Sequence, residues 1–376
     1  MSTDAPTQKI RFFLDATPLL DAQWTGIPTV CAAIAGQLLK AGHDVAFCLA
    51  DQVLPSAPVL DALARRSGLY LQRDVELGRL PMQRPLWPKD CLAIGLSASV
   101  KRHKRVFDIE ASVIHDISTI LQPYYHTSDN IIWHTETLLE DIQSNAATFT
   151  PSRATADDLV AYFGFDAEKI HVTPLGVEWP WWYEKKQKND RDVEKYITII
   201  STKEPRKNLA IIFTLLEKFP SLLDNYTFLF IGGVGWLSDG TVVPERLRTA
   251  IARGRIATPG FVSEYDKYRL LRGAEALIFP SFFEGFGLPV LEALSLGVPC
   301  VAAFGSSMSE VGGDLCDYFD PFSVDSLHES LKSTLARNGR RDAEFRNGCW
   351  SRVEGFSWKK MMDEMLGCLF KDTKYV

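Results

Sequence analysis

The segment that decides the fold runs from Ala276 to Ala293 and reads ALIFPSFFEGFGLPVLEA. Its first four residues are all apolar, which is typical of a strand buried on both faces of a parallel sheet. Gly285 and Gly287 then permit a tight turn, and Pro289 suits the first turn of a helix. A strand, a glycine turn and a helix in this order indicate one unit of an α/β fold.

The turn in this segment also predicts a binding site. A glycine turn exposes backbone N–H groups, and the positive end of the helix dipole points the same way, so an anion such as a pyrophosphate is favoured there. Glu284 stands at the rim of the turn, and Glu292 lies inside the helix. We expect both carboxylates to accept hydrogen bonds from the hydroxyl groups of a bound ligand.

The same alternation of strands and helices continues on both sides of this segment. The predicted strands are Ile10–Leu14, Val45–Ala50, Ala111–Ile114, Thr148–Thr150, Ile170–Val172, Tyr196–Ile200, Thr227–Ile231, a short one near Ile256, Ala276–Phe279 and Cys300–Ala303. The predicted helices are Thr29–Lys40, Leu209–Lys218, Pro244–Arg253, Pro289–Leu296, Val324–Ala336 and Trp358–Phe370. This order predicts an α/β protein of two doubly wound, Rossmann-like domains facing a cleft.

The apolar periodicity is lost between residues 178 and 192, where four aromatic residues precede a charged run. This change predicts a first domain over residues 1–177, a linker over 178–192, a second domain over 193–355 and a C-terminal helix within 356–376. The aromatic residues of the linker are expected either to pack under the C-terminal helix or to anchor the protein at an interface.

The composition limits the class of protein. With 376 residues, 46% of them hydrophobic and 23% charged, the chain is long enough for two globular domains. A net charge of −6 argues against general nucleic-acid binding. The seven cysteines are odd in number and far apart, which favours free thiols in the cytoplasm. No apolar run is long enough for a signal peptide or a membrane span, so we expect a soluble or peripheral protein.

The string from Glu284 to Glu292 resembles the E-x7-E signature of retaining GT-B glycosyltransferases, family four (glycosyl transferases group one). The likeness extends to the loop Glu204-Pro-Arg-Lys-Asn208, which resembles the EPRKN loop of a mannosyltransferase-like subgroup. Further stretches that follow the family order are Phe230–Trp236, Gly297–Ala303, Ser306–Gly313 and Phe319–Pro321. The likeness is thinner in the N-terminal half, and it implies a C-terminal helix that crosses back to the first domain.

The resemblance implies a set of site residues. Arg206 and Lys207 would neutralise the diphosphate of a nucleotide-sugar donor, Glu284 would bind the hydroxyls of the transferred sugar, and Glu292 would hold the ribose. The other implied positions are the backbone of Phe286, Gly287 and Leu288 at the sugar and phosphate, Phe261 and Val262 beside the base, His115 at the sugar, and Gly26 with Ile27 beneath the diphosphate. Many relatives carry an arginine near Ser201, which this chain lacks, and Arg206 would take its place.

The resemblance implies neither a cofactor nor a metal. An Asp-x-Asp motif, the usual metal-binding alternative, occurs only as Asp190-Arg-Asp192 in the predicted linker. Fixed cations and helix N-termini can instead stabilise the leaving pyrophosphate. An inverting enzyme needs a carboxylate base, for which Asp116 is the nearest candidate. This set of predicted site residues therefore favours sugar transfer with retention of configuration at the anomeric carbon.

The sequence thus predicts a hexosyltransferase that moves mannose from GDP-mannose to a glycan or lipid-linked glycan. The alternatives are a GT-B nucleotide-sugar epimerase and a non-catalytic nucleotide-sugar-binding protein. The basic run Lys101–Arg105 is either a solvated face or a contact for anionic lipid headgroups or a lipid pyrophosphate. Peripheral contact with the inner face of the membrane follows from the second interpretation.

Overall fold

The computed structural model describes residues 9–101, 105–185, 195–202, 204–232, 245–337 and 342–371. The chain divides into two compact units. Unit 1 comprises the described residues within 1–123, 127–176 and 357–376, and unit 2 those within 124–126 and 177–356. The limits of the predicted linker stay a prediction, because residues 186–194 lie outside the described part.

Unit 1 is built on a sheet of seven strands within the described residues. The strands are β1 (Lys9–Asp15), β2 (Asp44–Leu49), β3 (Gln52–Leu54), β4 (Cys91–Ser97), β5 (Ile109–Val113), β6 (Ala147–Thr150) and β7 (Ile170–Val172). Their order is β3-β2-β1-β4-β5-β6-β7, and every pair is parallel except β2 with β3. The order reverses between β1 and β4, which makes the sheet doubly wound.

The helices that pack on this sheet begin with α1 (Gly26–Lys40). They continue with α2 (Ser56–Arg65), α3 (Leu69–Glu76), α4 (Ser118–Leu121), α5 (Ser128–Thr135), α6 (Leu138–Ser144) and α7 (Arg153–Phe163). Helix α1 begins three residues earlier than the predicted Thr29, because Gly26 adopts a φ of +43° and lets the chain enter the helix before Pro28. Its buried face includes Val30, Ile34 and Leu38.

Unit 2 is built on a second sheet, whose six described strands are all parallel. They are β8 (Tyr196–Ile200), β9 (Thr227–Ile231), β10 (Ile256–Gly260), β11 (Ala276–Phe279), β12 (Cys300–Ala303) and β13 (Cys316–Phe319). Their order, β10-β9-β8-β11-β12-β13, is that of a Rossmann sheet with its switch point between β8 and β11. The prediction of two Rossmann-like halves is confirmed.

Helices cover both faces of this second sheet. They are α8 (Trp182–Lys185), α9 (Ala210–Lys218), α10 (Leu222–Asn225), α11 (Glu245–Ala252), α12 (Glu264–Gly273), α13 (Leu288–Ser295), α14 (Met308–Gly312), α15 (Val324–Ala336) and α16 (Ala343–Val353). Residues 233–244, which include most of the predicted turn after Phe230, lie outside the described part. The core contains Ile197, Ile212, Phe228 and Ile278, all fully buried.

The last helix, α17 (Trp358–Phe370), belongs to unit 1, where it packs against α1 and β6. Met361, Met365 and Leu369 are buried along one face of this helix. The predicted return of the C-terminal helix to the first domain is therefore confirmed. No described helix combines the length and the apolar character that crossing a membrane requires.

Candidate active site

Two loops meet at the switch point of the second sheet. One follows β8 and includes residues 201–208, and the other follows β11 and includes residues 280–287. Because β8 and β11 are neighbouring parallel strands, both loops leave the same edge of the sheet at adjacent positions. Ligands of doubly wound sheets bind outside the carboxyl ends of the strands at this point.

Serine side chains hold the turn that carries Glu284. The Glu284 N–H donates a hydrogen bond to Ser306 Oγ at 3.0 Å. The hydroxyl groups of Ser306 and Ser307 each donate to the Glu284 carbonyl oxygen at 2.8 Å. Ser307 is also within 3.0 Å of the Phe286 carbonyl oxygen. The backbone of the turn is thus fixed on both sides of the carboxylate.

Gly287 forms the corner between this turn and helix α13. Its φ is +100°, a conformation that L-residues with a side chain rarely adopt. A Cβ atom at this position would also lie 2.6 Å from Met308 Cε. The positive φ therefore requires glycine here, and α13 begins at the next residue, Leu288, with Pro289 in its first turn.

Lys207 and Arg206 lie on a short 3-10 helix, Pro205–Lys207, in the loop after β8. The Lys207 ammonium donates to Glu284 Oε1 at 2.8 Å, and Arg206 Nη1 donates to Glu284 Oε2 at 3.1 Å. Arg206 Nη1 also donates to the Phe283 carbonyl oxygen at 2.7 Å. The structure thus brings three of the predicted catalytic residues into direct contact.

The two cations determine the charge of Glu284. Burial opposes ionisation of this carboxyl, whose residue is only 8% exposed. Lys207 and Arg206 outweigh burial, so the pKa of Glu284 is held below its usual value. The carboxylate is therefore ionised at neutral pH and able to accept hydrogen bonds.

Glu204 is a further member of this cluster to which the sequence analysis assigned no role. Its Oε2 accepts a hydrogen bond from Arg206 Nη2 at 3.0 Å, and its Oε1 accepts one from Thr202 at 2.7 Å. Burial would raise the pKa of Glu204, but Arg206 and Lys207 lower it below its usual value. Its position two residues before Arg206 in the EPRKN-like loop was the signal that could have identified it.

Glu292 lies on α13 and does not join this cluster. Its carboxylate forms an ion pair with Lys267 of α12, and the side chains are 12% and 25% exposed. The sequence analysis did not include Lys267 among the site residues.

The remaining candidates of unit 2 are backbone positions or exposed side chains. Phe261 and Val262 directly follow β10, and Phe261 is 39% exposed. The Phe286 side chain is buried and contacts Phe356 edge-on at 5.9 Å between ring centroids, so only its backbone is available to a ligand. Leu288 is the first residue of α13.

Gly26, Ile27 and His115 belong to unit 1. Gly26 and Ile27 form the N-terminus of α1, so Gly26 starts a helix rather than opening a longer loop. His115 follows β5, and its Nε2 lies 2.8 Å from the Ala98 carbonyl oxygen. Burial lowers the pKa of His115 below its usual value, although the hydrogen bond to Ala98 and the neighbouring Asp116 oppose this effect.

Asp116 forms a local turn just before the short helix α4. Its Oδ1 accepts hydrogen bonds from the Ser118 N–H at 2.8 Å and the Ser118 hydroxyl at 2.6 Å. This oxygen is therefore engaged in a local turn.

The interpretation of Lys101–Arg105 as one basic surface is wrong for its first residue. Lys101 is buried, and its ammonium donates to Glu110 Oε2 at 2.7 Å and to Ser144 at 2.9 Å. Arg105 donates to the carbonyl oxygens of Phe107 and Asp108. Residues 102–104 lie outside the described part.

Trp179 and Tyr183, two of the aromatic residues after Val177, pack within unit 2. Trp179 contacts Tyr268 of α12, with ring centroids 5.3 Å apart. Tyr183 contacts Tyr265 and Tyr268 of the same helix. These rings cover α12, a helix that was not predicted from the sequence, and their predicted packing under the C-terminal helix stays a prediction.

The described residues contain no cluster of three or more His, Cys, Asp or Glu side chains arranged to hold a metal ion. The Asp190-Arg-Asp192 motif lies outside the described part. All seven cysteines are free thiols.

Comparison with known proteins identifies the second unit. Residues 182–348 match the model of the family described as glycosyl transferases group 1. The predicted resemblance to this family is therefore confirmed for residues 182–348, which form most of unit 2. The match contains both loops of the switch point, and therefore Arg206, Lys207, Glu284 and Glu292.

Two curated relatives are mannosyltransferases by name. The chain is 29% identical over 256 residues to the O-antigen chain mannosyltransferase B of Escherichia coli, a match that covers 66% of each protein. It is 28% identical over 217 residues to the MMP alpha-(1->4)-mannosyltransferase of Mycolicibacterium hassiacum, covering 56% of this chain and 51% of that relative. The chain thus matches between half and two thirds of the length of these relatives.

Solved structures show the fold of the whole chain. The sucrose-phosphate synthase from Thermosynechococcus elongatus superposes with a TM-score of 0.65 at 15% identity, covering 96% of this chain and 98% of the other. The predicted GT-B fold is therefore confirmed for this chain.

Proposed function

We propose that the chain is a retaining, metal-independent hexosyltransferase that moves mannose from GDP-mannose to a glycan or lipid-linked glycan acceptor in polysaccharide biosynthesis. The observation that carries the proposal is the contact of Lys207 and Arg206 with Glu284 at the switch point of the second sheet. Two cations and an acceptor of hydroxyl hydrogen bonds stand there beside a helix N-terminus, a combination suited to a sugar diphosphate.

The cations support metal-independent transfer. When the glycosidic bond breaks, negative charge grows on the leaving pyrophosphate, and fixed positive charges stabilise it without reorganisation. Lys207 and Arg206 are already held in place by Glu284, Glu204 and the Phe283 carbonyl oxygen. They can supply the charge that a divalent metal provides in other transferases.

Retention of configuration at the anomeric carbon is supported by the state of Asp116, the nearest candidate for the carboxylate base that an inverting enzyme needs. Inversion requires a carboxylate that takes the acceptor proton, and Oδ1 of Asp116 already accepts hydrogen bonds from the N–H and the hydroxyl group of Ser118. In transfer with retention, the leaving phosphate oxygen takes that proton. The proposed role of Glu284 is then to hold the donor sugar, and His115, whose pKa is lowered, contributes a neutral imidazole.

The mannose donor is supported by the names of the two relatives, which are both mannosyltransferases. The choice of GDP as the nucleotide of the donor follows only from the assignment of mannose as the donor sugar. We place the protein in the cytoplasm, where nucleotide sugars and reduced cysteines are found together.

The proposal is tested with the purified chain, GDP-mannose and a mannose-containing acceptor. We expect transfer to continue in EDTA, and the product to show an α-anomeric proton by NMR when the donor is α-linked. Glu284→Gln should bind GDP but transfer no sugar. A β-linked product would overturn retention, and activity lost in EDTA but restored by Mn²⁺ would overturn metal independence.

The same samples test the alternatives. An epimerase would convert the donor without acceptor, which NMR of the donor alone detects. A non-catalytic binding protein would bind GDP-mannose and give neither product. Screening GDP-, UDP- and ADP-sugars for thermal stabilisation identifies the donor independently of turnover.

We also propose peripheral contact with an anionic membrane, through the exposed face of α3 rather than through Lys101–Arg105. This α3 surface consists of Leu69, Tyr70, Arg73 and Leu77, all exposed in the structure. The Arg65 guanidinium lies 5.2 Å from the Tyr70 ring centroid. Apolar side chains beside arginines suit a bilayer with acidic headgroups, since the arginines pair with phosphates while the apolar groups insert.

A further inference from the structure

Lys267 lies beside the carboxylate to which the ribose of the donor is assigned. It is carried by α12, whereas Glu292 is carried by α13, and the Lys267 ammonium donates a hydrogen bond to Glu292 Oε1. The Glu292 side chain is only 12% exposed. An ion pair that is partly withdrawn from water is screened less by salt than a surface pair and holds its geometry better.

Trp179 fixes this ion pair from a third direction. The Lys267 ammonium stands 5.4 Å from the centroid of the Trp179 ring, a cation–π distance. The Trp179 indole N–H donates to Ser295 Oγ at 2.8 Å, and this hydroxyl donates to the Glu292 carbonyl oxygen at 2.6 Å. The four residues therefore form a closed ring of contacts that starts and ends at Glu292.

The ring of contacts leaves one carboxylate oxygen of Glu292 for a ligand. Oε1 is engaged by Lys267, whereas Oε2 accepts no hydrogen bond from any described residue. A carboxylate whose rotation is already restricted loses less conformational freedom when it binds a hydroxyl group.

We propose that Lys267 is a positioning residue that orients Glu292 for the ribose hydroxyls of the nucleoside diphosphate. The inference rests on the proposed function, because that function assigns the ribose to Glu292. Lys267 acts through Glu292 and has no contact with the diphosphate. Removing Lys267 should therefore weaken the binding of a nucleoside diphosphate whose ribose carries its hydroxyl groups. The binding of a nucleoside diphosphate that lacks these hydroxyl groups should not change.

The experiment compares a nucleoside diphosphate with its 2′,3′-dideoxy analogue by titration calorimetry. GDP and UDP are both titrated, and the tighter binder is paired with its dideoxy form. For the wild type we expect the ribose form to bind about tenfold more tightly, as for hydrogen bonds to a charged group. Lys267→Met should lower this ratio of affinities to about two- to threefold and leave the affinity for the dideoxy form unchanged. Glu292→Gln should have the same effect.

Two further variants serve as controls. Lys267→Arg keeps a cation on the same element and should retain most of the wild-type ratio. Lys332→Met removes an exposed lysine of α15, which pairs only weakly with Glu329, and should change neither affinity.

The possible outcomes distinguish the positioning role of Lys267 from the ribose role of Glu292 and from the proposed sugar transfer. If Lys267→Met weakens the ribose and dideoxy forms equally, Lys267 contacts the diphosphate or supports the fold, and the inference is wrong. If Glu292→Gln lowers the ratio and Lys267→Met does not, Glu292 keeps its ribose role and only the inference fails. If Glu292→Gln leaves the ratio unchanged, the ribose assignment fails together with the inference, while sugar transfer is still judged by NMR.

Discussion

At the scale of single residues, the charge balance around Glu284 governs the candidate site. Lys207 and Arg206 donate hydrogen bonds to this carboxylate, and Arg206 also donates to Glu204. The two carboxylates and the two cations leave the cluster without net charge. This balance lowers the free-energy cost of holding the four charged groups where they are partly buried. An arriving diphosphate can then pair with cations that are already in position.

Lys207→Met tests whether that charge acts on the leaving group. We expect kcat to fall about 100- to 1,000-fold, because the charge matters most once the pyrophosphate is leaving. The Kd for GDP should change by less than about tenfold. Steady-state kinetics and calorimetry on the same preparation provide both numbers.

Lys218→Met is the matched control for this prediction. Lys218 is an exposed lysine of α9 that pairs with Asp325, and its loss should leave kcat and KM unchanged. A Lys207→Met enzyme with normal kcat and a raised KM would show that Lys207 only holds the ground state.

At the scale of elements, the buried pair of Lys101 and Glu110 anchors the connection between β4 and β5. Their side chains are 2% and 1% exposed. Glu110 Oε1 also accepts hydrogen bonds from the N–H groups of Val106 at 2.6 Å and Phe107 at 3.0 Å. One carboxylate therefore holds both ends of the segment 101–107.

Glu110→Gln should destabilise the protein by about 3–5 kcal/mol at pH 7, because it leaves the Lys101 charge buried without a partner. Burial opposes ionisation of Glu110, but the hydrogen bonds from Lys101, Phe107 and Val106 bring its pKa below the usual value. The stability that ionised Glu110 contributes is therefore fully present above the pKa of glutamate in the unfolded state, about 4.3. It is lost as the pH falls through the lower pKa of Glu110 in the folded state. Urea unfolding of both proteins at pH 7 and at lower pH measures the difference.

The double variant Lys101→Met/Glu110→Gln is the control for this prediction. It removes both charges and should recover part of the lost free energy of unfolding. A stability difference between the wild type and Glu110→Gln that stays constant as the pH falls below about 4 would contradict the assigned role.

At the scale of the whole molecule, the protein is acidic, with a formal net charge of −6. The chain as a whole has 41 Lys and Arg against 47 Asp and Glu. The α3 surface combines exposed apolar residues with one arginine, Arg73. Acidic vesicles should be preferred over neutral ones, and salt should weaken the binding.

Vesicle sedimentation tests this preference with phosphatidylglycerol and phosphatidylcholine. The wild type should bind the acidic vesicles, and Leu69→Gln/Leu77→Gln should bind them about tenfold less, since two inserting leucine side chains are lost. Tyr162→Gln alters another exposed residue of unit 1 and should bind normally. Equal binding of the wild type to both vesicle types would contradict the proposal.

Local patterns were sufficient to predict much of this molecule. The strand, glycine turn and helix around Glu284 were predictable because apolar runs, glycine and proline act on their own neighbourhood in the chain. The doubly wound fold followed from the repetition of such units, and the site residues of unit 2 followed from a family resemblance. Their catalytic and binding roles stay predictions.

Strand β4 shows where local patterns were insufficient. Its sequence, CLAIGLS, is buried along its whole length and contains Gly95, so it has neither alternation nor high β-propensity. Only the packed structure explains the glycine, since a Cβ atom there would lie 2.4 Å from the Phe107 ring. The central strand of the first sheet was missed for this reason.

The amino-acid sequence by itself determined many of the strands, turns and helices, though not β4 or α12, and it showed which side chains of the predicted strands lie at strand ends. The tertiary structure decided which of these side chains meet. Lys207 and Glu284 are 77 positions apart, and they touch because β8 and β11 become neighbours at the switch point. The same holds for Lys267 with Glu292 and for the burial of Lys101, because pairing across elements depends on strand order and helix packing, which local periodicity does not encode.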